Sequence, residues 1–220
     1  MIQVAIAGID TGLGQAIASC VDMAPDMRLT GGTTVAEHYT GAAARLTTIL
    51  DGATALIDLT SPREMMANAI DCLAANCALV GGAGRLDPNH VAELREFSSR
   101  IPIFYAPNLC LETAAVLRLL PLLRDSLPHL DAEITGLDHY RRRQQVPAVD
   151  SSLAEPIVFL TGSGQEIMLS QKVYGHDAPA RGALQALRFL ADRERGFFTM
   201  DDLLPLPPAL SGQQDVARVM

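Results

Sequence analysis

The sequence predicts an α/β protein: a doubly wound parallel sheet, then a second α+β domain built on an open mixed sheet. Three observations carry that expectation. Short apolar runs at 4–7, 55–59, 78–80 and 103–105 alternate with stretches whose apolar residues recur at helical spacing, which is the order of βαβ units. A glycine-bearing turn at 8–14 follows the first run, as at the opening of a Rossmann-type dinucleotide-binding unit. After Asn108 the alternation stops, and strand-like runs at 132–137, 156–160 and 166–173 follow.

Each element has its own warrant. Leu13, Ala16, Ile17, Cys20 and Val21 fall at i, i+3, i+4, i+7 and i+8 and predict the first helix. A second strand begins at 28–30 and is expected to stop at Gly31-Gly32. Thr60-Ser61-Pro62 reads as a helix cap with proline in the first turn, and Asp58 is an alternative cap. Met65, Met66, Ala69, Ile70 and Leu73 form the apolar face of that helix. Asp87-Pro88 caps the next helix, which turns Val91, Leu94 and Phe97 inward. Residues 112–127 form a strongly apolar helix, expected to kink at Pro121. Gly162-Ser163-Gly164 has hairpin chemistry, and 181–192 is a further helix with Asp177 as its cap. Residues 197–206 return toward the first domain. The expected division is 1–107 plus about 197–220 as the dinucleotide-binding domain, and 108–196 as the substrate-binding and oligomerisation domain.

Composition narrows the function. At 220 residues, 49% hydrophobic and 19% charged, the chain has the profile of an ordered globular enzyme. A net charge of -8, with Arg141-Arg142-Arg143 as the main basic cluster, argues against a nucleic-acid partner. No apolar run approaches the roughly 20 residues of a membrane span, and the N-terminus lacks a basic leader. Cys20, Cys72, Cys77 and Cys110 are scattered with no CxxC spacing, so no metal site is expected. They read as reduced thiols of a cytoplasmic protein. Lys172 is the single lysine.

The residues also resemble the dihydrodipicolinate reductase family. The resemblance rests on segments in the family's order: the strand-turn-helix start, IDLTSP at 57–62, APN at 106–108, the apolar helix that follows, DHYRRR at 138–143, ARGA at 180–183 and GFFTMDDLL at 196–204. It implies a reductase that takes hydride from NADPH or NADH and delivers it to a small anionic cyclic imine or unsaturated acid. It further implies a homotetramer assembled through strands 156–160 and 167–173.

The resemblance assigns the nucleotide to Gly8, Thr11, Gly12, Leu13 and Gly14, with Thr33 and Thr34 at the ribose. Thr60 is a further cofactor contact, Gly81 and Gly84 belong to a loop placed against nicotinamide and substrate, and Asn108 either orients substrate or nicotinamide or is a turn residue. The departures are specific. Positions 8–15 read GIDTGLGQ where the family has GxxGxxGR, so Thr11 replaces a glycine and Gln15 an arginine. The family's GTTG loop is GGAG at 81–84, without the two threonine hydroxyls. Neither charge that would choose between the cofactors stands at 31–35, and Glu37 falls slightly late.

The catalytic residues implied are His139, Arg143 and Tyr140. Overlaid on the family's HHRHK and DAPSGT signature, His139 falls on the first histidine, Arg143 on the lysine and Pro147 on the proline. A one-residue shift would put Asp138 on that histidine instead. His139 suits proton donation near neutral pH. Arg143 stays protonated and serves as a carboxylate fork, with Arg141 and Arg142 as further substrate anchors. The plainer reading makes this a solvated loop. His38, His90 and His129 read as surface residues, and Cys110 as packing. The missing SGT triplet points to a specialised pathway. A fold-retaining relative with a non-redox or metabolite-binding role is the competing reading.

Overall fold

A computed structural model describes residues 1–39, 43–82, 84–136 and 156–204. The chain opens with β1 (Ile2–Ala7), α1 (Gly12–Met23), β2 (Met27–Thr33), α2 (Val35–Tyr39) and α3 (Ala43–Leu50). It continues through β3 (Ala55–Asp58), α4 (Pro62–Ala75), β4 (Ala78–Gly81), α5 (Pro88–Phe97) and β5 (Pro102–Tyr105). Then come α6 (Leu111–Ser126), β6 (Asp131–Gly136), β7 (Pro156–Gly162), β8 (Gln165–Ser170), α7 (Asp177–Ala191), β9 (Gly196–Phe198) and α8 (Met200–Leu203).

Six strands make one sheet in the order β2-β1-β3-β4-β5-β9, every neighbouring pair parallel. Alternate residues point to opposite faces, and both faces are covered. Val4, Ile6, Ile57, Val80 and Phe104 share one core with Ile17 and Val21 of α1 and with Ala183, Leu187 and Leu190 of α7. Ala5, Ala7, Leu56, Leu79 and Ile103 share the other with Leu46, Met65, Ala69 and Leu94. The doubly wound parallel sheet expected from the sequence is therefore present. Strand order reverses between β1 and β3, so the switch-point crevice opens at their carboxyl ends.

Local chemistry sets the boundaries. Ser61 caps α4 by accepting from Glu64 N at 3.3 Å, with Pro62 behind it, and Asn76 closes the helix at φ 51°. Asp87 caps α5 through Asn89 N and His90 N. β2 does not stop at Gly31-Gly32 but runs through to Thr33, absorbing an irregularity opposite Val4/Ala5. Gly32 is needed there, because a Cβ would meet Ile9 and the Ile6 carbonyl. α3 is an addition to the sequence reading, although Leu46, Ile49 and Leu50 had its spacing.

β6, β7 and β8 form a separate sheet in which both described pairings are antiparallel. Gly164, at φ 77°, turns the β7–β8 hairpin. Val158 and Leu160 are fully buried and pack with Leu120, Leu130 and neighbouring residues of α6. That helix runs unbroken from 111 to 126 across Pro121.

Two expectations need correction. Asp177 is not the cap of α7. His176 holds the N-cap position without a side-chain cap bond, and Asp177 is the first helical residue. The division at 108–196 also fails to follow the packing of α7. Ala180, Ala183, Leu184, Leu187 and Leu190 belong to the core of the parallel sheet, because that apolar stripe fits the face which α1 leaves uncovered. Gly182 permits the contact, since its missing side chain leaves room for the Leu109 carbonyl.

Candidate active site

The paired registers place Thr33, Ala7, Asp58, Gly81 and Tyr105 in one row across the sheet, at the carboxyl ends of five strands. Each described loop assigned a role by the sequence leaves from this row. Backbone bonds stitch the exits together: Gly8 N to Thr33 O at 2.8 Å, Leu59 N to Ala7 O at 2.9 Å, Gly82 N to Asp58 O at 2.8 Å and Ala106 N to Gly81 O at 3.0 Å.

The first loop is built for close approach. Gly8 has φ +84° and lies against the Leu59 backbone, 3.3 Å from where a Cβ would stand. Thr11 is the N-cap of α1: its hydroxyl accepts from Gly14 N at 2.9 Å and donates to Gly8 O at 2.8 Å. Threonine in place of the family's middle glycine thus organises the turn. Gly14 is buried, and a Cβ on it would strike the Gly8 carbonyl and Ile9. Leu13 packs into the core. The N–H groups of Gly12 and Leu13 meet no acceptor among the described residues, as expected of a helix's first turn. Open amides at a helix N-terminus suit a phosphate.

The ribose stretch is arranged differently from expectation. Thr33 is 2% exposed. Thr34 donates its N–H to Glu37 Oε2 at 2.7 Å and accepts from Glu37 N at 3.3 Å, a reciprocal cap for α2. Asp10, which the sequence reading passed over, accepts from Val35 N at 2.8 Å and joins the two loops. Glu37, set aside as late, is the partner of Thr34 in that cap.

Asp58, fully buried, does not cap α4. It accepts from Thr60 N at 2.9 Å, the Thr60 hydroxyl at 2.6 Å and Asn68 Nδ2 at 2.7 Å. Such a carboxylate stays buried because its lone pairs are met, and it fixes Thr60 beside the crevice. Gly81 is buried against Met65, and Gly84 has φ +86° with open space where a side chain would be. Tyr105 holds this loop: its hydroxyl accepts from Leu86 N at 2.7 Å and donates to Gly84 O at 3.1 Å. Tyr105 was read only as strand. A tyrosine at the last position of a buried strand needs a partner for its tip, which was the available signal.

Asn108 accepts from Cys110 N at 2.8 Å through its side chain, a turn role. Cys110 is buried, donates to Glu112 Oε2 at 3.1 Å and accepts from Gln171 Nε2 at 3.2 Å. Gln171 also accepts from the Thr113 hydroxyl at 2.6 Å. Cys110's bond, and secondarily a backbone bond and Arg181, hold the Glu112 carboxyl below its ordinary range. This cluster ties the exit of β8 to the base of the crevice. His139, Tyr140, Arg141, Arg142 and Arg143 lie outside the described residues. The structure therefore brings together the described residues of the nucleotide side, 8–14, 33–34, 60, 81–82, 84 and 108. No helix among the described residues is long and apolar enough to cross a membrane.

A parallel sheet with its strand order reversed beside a glycine turn, ending in open amides, fits the diphosphate of a dinucleotide. The class is that of NAD(P)H-dependent oxidoreductases. Comparison with known proteins names the family. A family described as "Dihydrodipicolinate reductase, N-terminus" matches residues 2–109. A 4-hydroxy-tetrahydrodipicolinate reductase of Nitrosospira multiformis is 26% identical, over 93% of this chain and 98% of that one. The enzyme of the same name from Myxococcus xanthus is 26% identical over the same shares. A dipicolinate-bound dihydrodipicolinate reductase from a Paenisporosarcina species superposes with a TM-score of 0.66 at 15% identity, covering 93% of this chain and all of that one. Residues 2–109 thus match the dihydrodipicolinate reductase family, and over nearly its whole length the chain is similar to reductases of that kind at 26% identity.

Proposed function

We propose that the chain reduces a small anionic cyclic imine or related unsaturated acid with hydride from NADPH or NADH. In this reading residues 8–14 hold the diphosphate and the 81–84 and 108 loops face the nicotinamide. Hydride adds to the electrophilic carbon, the electron pair of the double bond moves to the neighbouring atom, and His139 gives that atom its proton. Tyr140 is the second acid available, while Arg143, with Arg141 and Arg142, grips the substrate carboxylate. The observation that carries the reading is the single row of strand ends from which the nucleotide-side loops depart, in a chain whose relatives are reductases. The parallel sheet serves the dinucleotide, and the second sheet serves substrate and a homotetramer. A specialised, cytoplasmic pathway is part of the same reading.

The test is loss of reduced-nicotinamide absorbance with 4-hydroxy-tetrahydrodipicolinate and a panel of cyclic imino acids. Nicotinamide-dependent turnover is expected with a member of the panel, and His139→Ala should lower kcat by about a hundredfold or more. Absence of cofactor binding at millimolar nucleotide would sink the proposal. One observation favours the second reading, a non-redox or metabolite-binding relative: Thr33 is buried and Thr34 is engaged in a helix cap. Turnover that needs no nicotinamide would establish it.

A further inference from the structure

α7 reaches the nucleotide turn with its N-cap residue, His176. A Cβ built on Gly12 would lie 2.5 Å from His176 Nε2, so the imidazole stands directly over the first residue of α1. His176 occupies the N-cap of α7 and makes no cap bond there. Nε2 is the ring atom nearest Gly12; Nδ1, across the ring, is buried without a hydrogen-bond partner, so no bond at that nitrogen fixes the ring.

The N-cap side chain of one long helix therefore stands at the first turn of another. Gly12 and Leu13 present open N–H groups from α1, and α7 donates its first backbone bond only at Ala180, whose N–H goes to His176 O at 2.9 Å. Both ends carry partial positive charge. The turn has no cation of its own, being flanked by Asp10 and Gln15. Asp10 is engaged with Val35 N. On α7, Asp177 follows His176, and Arg181 faces Glu112 at 3.8 Å. The imidazole is the described side chain placed to donate to an anion at this point.

The geometry points to His176 as a contact of the dinucleotide's diphosphate, donated across the crevice from α7 in place of a cation in the turn. This assignment rests on the nucleotide-binding reading above and names a residue that reading did not use. Gly12 is then glycine for two reasons: close approach of phosphate, and room for the imidazole.

The experiment uses the full chain and three proteins: wild type, His176→Gln and His176→Leu. Dissociation constants for NADPH, NADH and ADP are measured by fluorescence and calorimetry, with thermal unfolding recorded for each protein. The imidazole resonances of His176, assigned by their absence from the variants, are followed while ADP, inorganic pyrophosphate or adenosine is added. His176→Leu should weaken all three nucleotides about tenfold, the scale of one charge-assisted hydrogen bond, with an unchanged Tm. His176→Gln, which keeps one donor, should fall between. The wild-type imidazole should shift with ADP and pyrophosphate and stay still with adenosine. Unchanged nucleotide affinity in His176→Leu, or equal shifts with adenosine, would overturn the assignment while leaving the reductase reading intact. A wild-type protein that binds no nucleotide would overturn both.

Discussion

The two sheets of this molecule solve the same problem unequally. The parallel sheet hides both faces: β1, β3, β4 and β5 are apolar on alternate sides and almost wholly buried. The small antiparallel sheet packs one face against α6, through Val158 and Leu160; on the other face Phe159 is 7% exposed, but the edge strand β8 leaves Met168 48% and Ile167 37% exposed. A two-sided sheet must be exact in its close contacts. A one-sided sheet is free to vary on the other face or to use it for a partner. The Nitrosospira alignment runs over 265 positions against a chain of 220 residues, so the relative carries segments this chain lacks.

The sharpest way to break the contrast is at Gly14. Gly14→Val would push a branched side chain into the Gly8 carbonyl and Ile9, and should cost more than about 4 kcal/mol. The expected result is loss of the cooperative unfolding transition; a Tm within a few degrees of wild type would refute the packing argument. Next comes Tyr105→Phe, which leaves Leu86 N–H and Gly84 O without their partner. Chemical denaturation should show a loss of about 1–3 kcal/mol, accompanied by weaker nucleotide binding as the 81–86 loop loosens.

On the one-sided sheet the expected stability change is smaller and the assembly change larger. Met168 pairs with Phe159 on the face away from α6, so Met168→Glu should leave unfolding nearly unaltered. Light scattering should report a smaller assembly than wild type if this face joins copies; an unchanged mass would remove the face from the tetramer proposal.

The least effect is expected from the ion pair that ties α7 to the α1–β2 turn. Arg188 Nε and an Nη meet Asp26 at 2.8 and 3.0 Å, and the arginine's hydrogen bond holds the exposed Asp26 carboxyl below its ordinary range. A lowered carboxylate value stabilises the fold above the unfolded value of about 3.9 and loses that contribution as pH falls through the folded one. The small Tm difference between wild type and Asp26→Asn should therefore exist at neutral pH and vanish in acid. A difference that persists at the lowest pH would assign it to something other than charge.

The parallel sheet was legible because being buried on both sides writes apolar runs into the chain, and because glycine, serine and proline mark its turns by their own chemistry. Gly8, Gly14, Ser61 and Pro62 have the backbone roles their types imply. What escaped was partnership at a distance. Asp58 stands as an alternative cap in the sequence because it precedes a helix, yet its carboxylate turns inward to Asn68. Tyr105 was read as strand, yet its hydroxyl holds a loop some twenty positions earlier in the chain. His176 reads from the sequence only as the residue before a helix, because the residue it covers, Gly12, lies in the opening turn of the protein. The stripe on α7 was recognised as apolar, but its periodicity could not say which sheet it would face.

That last placement has a cost during synthesis. The strands of the parallel sheet through β5 have been synthesised by residue 105, but the helix covering Val4, Ile6, Ile57, Val80 and Phe104 and the final strand beside β5 come only after residue 176. The nascent N-terminal half must wait with an oily flank open while some seventy intervening residues emerge. Contacts of such long sequence separation predict slow closure, and a chain cut before α7 should bind a hydrophobic dye and aggregate rather than fold as an autonomous nucleotide domain.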